Sequence, residues 1–158
     1  MPPASSPQEQ QRRATARLVL HSAPITTLFA AAAATVTYLA ARAAGASMPV
    51  PVDPNDPGSA LVHVGLTGVV LSSVFPAFIG SIALALLTRT SRPMTWFLAL
   101  AAALVLLAAG PLLLPRDPGT LRIDAGTRYA LAAIHAVRAA AVVWTLSRAL
   151  RARAPAGQ

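Results

Sequence analysis

GTRYALAAIHAVRAAAVVWTLSRALR, residues 126–151, is an apolar stretch with His135 and Arg138 inside it. Crossing a bilayer takes ~20 mostly apolar residues at ~1.5 Å of rise each, so this stretch is long enough to span. Arg138 lies close to its middle, where insertion scales put an ionised arginine at roughly 2.5–3.5 kcal/mol. A charge at that depth needs a partner, and the other spans must supply it.

Three more apolar stretches complete the chain: about residues 25–44, 60–88 and 94–114, with the fourth span at about 127–149. The 158 residues are 55% hydrophobic and 11% charged, with a mean hydropathy of +0.59. A soluble domain this small needs more polar surface than that. The expected fold class is all-α: an integral membrane four-helix bundle over residues 18–150. Residues 1–17 read as a disordered basic tail and 151–158 as a second basic tail. The first span has a basic front and a small-residue exit, yet its apolar core exceeds a signal peptide's. It is expected to stay uncleaved.

Local signals place the boundaries. Ser22 and Pro24 suit a helix start. Residues 45–59 read as a loop, with turns at Asp53-Pro54 and Asp56-Pro57-Gly58, and Ser59 as N-cap of the second span. A short connection from Arg89 to Pro93 makes spans two and three antiparallel neighbours. The third span is almost free of polar side chains, hence the most lipid-exposed, and Gly110-Pro111 ends or bends it. Asp117-Pro118-Gly119 reads as a turn, and Asp124 or Thr127 as the cap of span four.

The charge distribution sets an orientation. All thirteen basic residues are arginine, against five acids, for a net charge of +8. Arg12, Arg13, Arg17, Arg89, Arg92, Arg148, Arg151 and Arg153 fall on one side; Arg42, Arg116, Arg122 and Arg128 fall on the other. The positive-inside rule then puts both termini in the cytoplasm, in the cell inner (plasma) membrane. Tyr38 and Tyr129 would sit at the outer interface, Trp96 and Trp144 at the inner one. The arginines form no aromatic-interleaved patch, so the expected partner is the bilayer, including its anionic lipids, and not nucleic acid.

The candidate binding residues follow from Arg138. No Asp or Glu lies in any span, so an ion pair within the membrane is excluded. Helical side chains lean toward the N-terminus, which carries Arg138 toward the level of His135. Arg128, ten residues back, is about 80° round the helix and nearer the surface. In the second span Gly65, Gly68, Ser72, Pro76 and Gly80 make a narrow face of small residues that lets helices approach closely. Pro76 has no N–H, so the carbonyl of Ser72 is free to accept from elsewhere. Ser72, Ser73 and, on the first span, Thr35 lie at similar depth. Two readings fit. In one, Arg138 binds the Ser72 carbonyl and hydroxyls and fixes helix register. In the other, Arg138 with His135, Ser72, Ser73, Thr35 and Arg128 forms an anion-binding site.

Several classes are excluded or disfavoured. No cysteine is present, which removes disulfides, thiolate metal sites and cysteine nucleophiles. His63 and His135 differ in depth by about 9 Å at ~1.5 Å per residue, too far to share a haem. No metal, cofactor or catalytic motif is expected. With the spans placed, the chain resembles a family of small four-helix membrane proteins of unknown function from high-GC Gram-positive bacteria. The resemblance rests on Gly110-Pro111-Leu112 and Ile134-His135-Ala136-Val137, and extends over about residues 18–150. Gly110 stands where that family often has serine, and Arg138 is outside its pattern. The resemblance implies an architecture and no activity. The expectation is a non-enzymatic ligand-binding or transport-related module. The alternative is a structural or accessory subunit of a membrane complex with no ligand of its own. The expected protein partners are a second copy, as a homo-oligomer through the small face of span two, or a membrane partner protein.

Overall fold

The computed structural model describes residues 6–53, 56, 58–114 and 123–151. Its elements run α1 (Pro7–His21), α2 (Ala23–Ala43), β1 (Pro49–Pro51), β2 (Leu61–His63), α3 (Leu66–Leu87), α4 (Pro93–Leu113) and α5 (Ala125–Arg151). Four helices are long and apolar enough to cross a membrane: the run containing α1 and α2, then α3, α4 and α5. Helix α2 packs against both α3 and α5, α4 rests mainly on α5, and α3 meets α4 only lightly. The turn expected at Asp117-Pro118-Gly119 and nearly all of the C-terminal tail lie outside the described residues.

The first correction concerns residues 7–17, which are helical and not a disordered tail. Ser6 is the N-cap, its hydroxyl accepting from Glu9 N at 3.3 Å, and Pro7 occupies the first helical position, where its missing N–H costs nothing. An ion pair between Glu9 and Arg13, one turn apart, supports the exposed face. The other face buries Val19 against Leu84, Phe97 and Leu146. Ser22 does not cap α2 as expected: its hydroxyl donates back to Val19 O at 2.7 Å.

The second correction lies beyond α2. That helix ends in a Schellman motif, with Gly45 N–H on Arg42 O and Ala46 N–H on Ala41 O, both at 3.0 Å, and Gly45 at φ +90°. The chain then forms an antiparallel hairpin with Val50 opposite Val62, in place of a plain loop. The second span therefore starts at Leu66, not near residue 60. Ser59 closes the hairpin turn, accepting from Asp53 N at 2.8 Å, and caps no helix. His63 is an exposed strand residue and does not enter a span.

The hairpin is tied to the helices. Met48 sits at φ 54°, a left-handed conformation that costs an L-residue roughly 1–2 kcal/mol. It is held there by complete burial among Ala34, Tyr38, Val69, Ala130 and Ile134. Its N–H donates to Thr127 Oγ1 at 3.1 Å, and that hydroxyl donates to Asp124 at 2.7 Å. Asp124 also accepts from Thr127 N at 2.8 Å, capping α5 as one of the two expected residues. Tyr38 OH donates to Val64 O at 3.1 Å, and Arg42 to the carbonyls of Ala46 and Ser47.

The side-chain and backbone bonds from Thr127 hold the Asp124 carboxyl below the ordinary carboxylate range. A pKa depressed on folding means the contribution is present above the unfolded value and lost as pH falls through the folded one. Hairpin amides are therefore expected to exchange faster, relative to their intrinsic rates, below about pH 4. Thr127→Val should show that faster exchange already at neutral pH, with about 1–3 kcal/mol lower stability from the orphaned Met48 N–H. Hydrogen exchange across a pH series measures both.

Candidate functional site

The centre of the helix array holds the charge that the sequence placed there. Arg138 is the middle residue of α5. Val142, one turn on, approaches Gly80, where an added Cβ would lie 3.3 Å from its Cγ1. Helices α3 and α5 thus approach at Gly80, in a lighter contact than either makes with α2, and the Arg138 backbone is level with Pro76. The side chain climbs one turn toward the hairpin end, as helical geometry favours. There Nη1 donates to Ser72 O at 2.8 Å, with Ser72 Oγ at 3.4 Å. Pro76 is four residues on from Ser72, so no helical N–H competes for that carbonyl. Among the described residues the other guanidinium donors meet no acceptor, and no buried side-chain nitrogen or oxygen is left unpaired. Those donors are therefore accessible.

They open on a cavity of about 360 Å³ between α3, α4 and α5. Its walls are apolar, among them Phe75, Ile79, Leu100 and Leu104. Only His135 and Arg138 contribute polar side chains. His135 Nδ1 is 2.8 Å from Leu131 O; a carbonyl can only accept, so Nδ1 carries a proton and Nε2 is the ring nitrogen left for other partners. The site thus pairs a fixed cation and an imidazole with a long apolar wall. Along α4 the lining runs from Phe97 to Ala108, about 16 Å at ~1.5 Å per residue.

Other expected members are elsewhere. Ser73 is fully buried and spends its hydroxyl on Val69 O at 2.7 Å. Thr35 is half-buried on α2 and does not line the cavity. Arg128 closes the end of α4, donating from Nε to Leu112 O at 2.7 Å and from Nη2 to Leu114 O. It satisfies carbonyls that the helix end leaves open and sits beside their negative dipole. The small-residue face also needs correcting. Gly65 is the N-cap residue of α3, and an added Cβ at Gly65 or Gly68 meets nothing within 4 Å. Ser72 and Pro76 are exposed, Ser72 meets α5 only through the Arg138 side chain, and Gly80 is the one glycine of the set whose added Cβ would meet another helix. The stripe buried against α2 is Val69, Ser73, Ala77, Ser81 and Ala85. The α4 wall of the cavity was not foreseen, since a uniformly apolar helix has no periodicity to show which side faces inward.

With this geometry in place, the chain matches the model of a family of unknown function, DUF6069, over residues 13–152. The chain belongs to DUF6069. The match takes in α2 to α5 and most of α1, so the hairpin, the cavity and Arg138 all lie within the DUF6069 region. No curated protein and no solved structure matches the chain.

The Ser72 carbonyl has one donor because Pro76 removes the other. Arg138→Met is expected to orphan it, at about 1–3 kcal/mol. In a Pro76→Ala background the restored amide can bond that carbonyl, so the same substitution should cost at least ~1 kcal/mol less. A four-way cycle of thermal unfolding in detergent measures the coupling; additive effects would mean that the carbonyl has another donor.

Proposed function

We propose that this protein is a non-enzymatic membrane module that binds an amphiphilic anion, its acidic head at Arg138 and its apolar body along the groove between α3 and α4. One observation carries the reading: a largely apolar cavity whose two polar lining residues are an arginine with accessible donors and a histidine. An apolar molecule alone would not need Arg138, and a small inorganic anion would not need a 16 Å wall. A carboxylate at the guanidinium supplies the charge that the spans lack, because none contains an acid. The weak contact between α3 and α4 lets such a ligand enter sideways from lipid. This places the protein in binding, presentation or transport of the ligand within the membrane.

A second reading rests on the bond from Arg138 to Ser72 O, which already satisfies part of the guanidinium. There the arginine sets helix register, and the chain is an accessory subunit of a homo-oligomer or of a larger membrane complex. Native mass spectrometry with oleate separates the two. Under the binding reading the wild type retains oleate, Arg138→Met loses it by tenfold or more, and Ala101→Phe, which fills the groove away from the arginine, loses it too. Retention by the wild type and both variants at the same level would leave the accessory role.

The arginine distribution supports the plasma membrane as location, with the α1 end in the cytoplasm. The chain lacks cysteine, so single cysteines report topology cleanly. In intact cells an impermeant maleimide is expected to label Val52→Cys in the hairpin and to spare Ala14→Cys in α1. The reverse pattern would invert the orientation.

A further inference from the structure

Helix α1 creates a second, unrelated cavity at the opposite end of the array from the hairpin. A cleft of about 320 Å³ lies between α1 and the span ends, lined by Gln8, Gln11, Arg12, Thr15, Thr88, Pro93 and Leu150. Unlike the central groove it is lined largely by side chains that donate hydrogen bonds. Arg12 is held by a bond from Nη1 to Arg89 O at 3.2 Å, which docks α1 on the connection between α3 and α4. Thr88 Oγ1 is already committed to Ala85 O, and Thr15 Oγ1 to Gln11 O.

Charge selects the ligand. The described residues at this end include Arg12, Arg13, Arg17, Arg89, Arg92, Arg148 and Arg151, seven arginines, against the single acid Glu9. Glu9 is paired with Arg13 and lines no part of the cleft. Arg89, Arg92 and Arg151 are each adjacent in sequence to a lining residue. No carboxylate balances this field, so an anion must. Depth selects its form. Thr88, Pro93 and Leu150 are at the ends of α3, α4 and α5, where the apolar spans give way to polar chain. The exposed Trp144, with Arg148 over its ring at 5.0 Å, lies ~9 Å farther in along α5, on the apolar side of that level. A group bound in the cleft is at headgroup height, with apolar helix flanks beside it for attached chains.

We propose that the cleft between α1 and the α3–α4 connection is a binding site for a phosphate group, with Arg12 as its charged donor and the Gln8 and Gln11 amides as its neutral ones. Two sources supply that chemistry, an anionic phospholipid headgroup and free phosphate. The test is native mass spectrometry of the full-length protein in detergent with dioleoyl phosphatidylglycerol, dioleoyl phosphatidylcholine of the same chains, or inorganic phosphate. Wild type is expected to retain phosphatidylglycerol at least threefold over phosphatidylcholine. Arg12→Gln and Gln11→Leu should each lose that preference, while Arg148→Gln, an equal loss of charge outside the cleft, keeps it. Gln11→Leu leaves the Arg12 bond to Arg89 intact, and exchange protection of α1 verifies that the helix stays docked. Inorganic phosphate that binds through Arg12 and displaces the lipid assigns the same site to the free anion. Equal loss in Arg12→Gln and Arg148→Gln, or no preference in wild type, overturns the site in favour of diffuse charge attraction. Arg138→Met should leave the preference unchanged, so this result is independent of the central groove.

Discussion

Backbone hydrogen bonding without water is the constraint on which the rest of this fold depends. Inside a bilayer an N–H or carbonyl left open costs several kcal/mol (~2–7 by reference state), so every departure from a regular helix needs a local donor or acceptor. Here arginine is repeatedly that donor. Arg138 serves the carbonyl freed by Pro76, Arg128 the last carbonyls of α4, Arg42 the chain leaving α2, and Arg12 the connection after α3. The hydroxyls follow the same logic from the other side: Thr26, Thr37, Ser73, Ser81, Thr145 and Ser147 each donate to the carbonyl four residues back. Among the described residues the one ion pair, Glu9 with Arg13, is outside the apolar helices. A chain with thirteen arginines and five acids cannot pair its cations with carboxylates, and carbonyls take their place.

That economy explains which parts were legible in the sequence. Four apolar runs, the exposed α4 that buries only Phe97 and Ala109, and the Asp124 cap all follow from hydropathy and local chemistry. The bond from Arg138 to Ser72 was legible for a stronger reason. Pro76 must free one identifiable carbonyl, and helical side-chain direction carries the arginine to its level. Where the sequence offered two equivalent answers, it misled. On α3 the set Gly65, Gly68, Ser72, Pro76, Gly80 and the set Val69, Ser73, Ala77, Ser81, Ala85 are both narrow stripes of mostly small residues. Only the partner helix α2 decides between them, and it chose the second.

The missed elements have different causes. Helix α1 was announced by Ser6, Pro7 and Glu9, a start signal obscured by the proline-rich, polar composition around it. What makes the helix persist is tertiary: Val19 enters a core formed by α3, α4 and α5, which no local reading contains. The hairpin at residues 49–63 has prolines at both ends of β1, positions that ordinarily argue against a strand. Two short strands are marginal alone, and these persist because Met48 is buried and its N–H is bonded to Thr127.

The same anchors account for the groove. Helix α4 has almost no polar contact along its length, so its position is set at its ends. Phe97 is 3% exposed and wedged into the cluster with Ala77, Leu84 and Leu146 at the α1 end, while Arg128 grips the carbonyls of Leu112 and Leu114 at the other. Between these two fixings α4 faces Gly80 and Ala83 of α3 with Ala101 and Ala108 of its own. Set among the larger Phe75, Ile79, Leu100 and Leu104, these small residues leave the two walls unclosed, and a gap remains where Arg138 projects. Its neighbour on the remaining side is α5, the least apolar of α3, α4 and α5, which places the cation on the floor of the gap rather than toward lipid. The cavity and its charge thus arise from one arrangement: a helix pinned at both ends, lying over a third that carries an arginine at its middle.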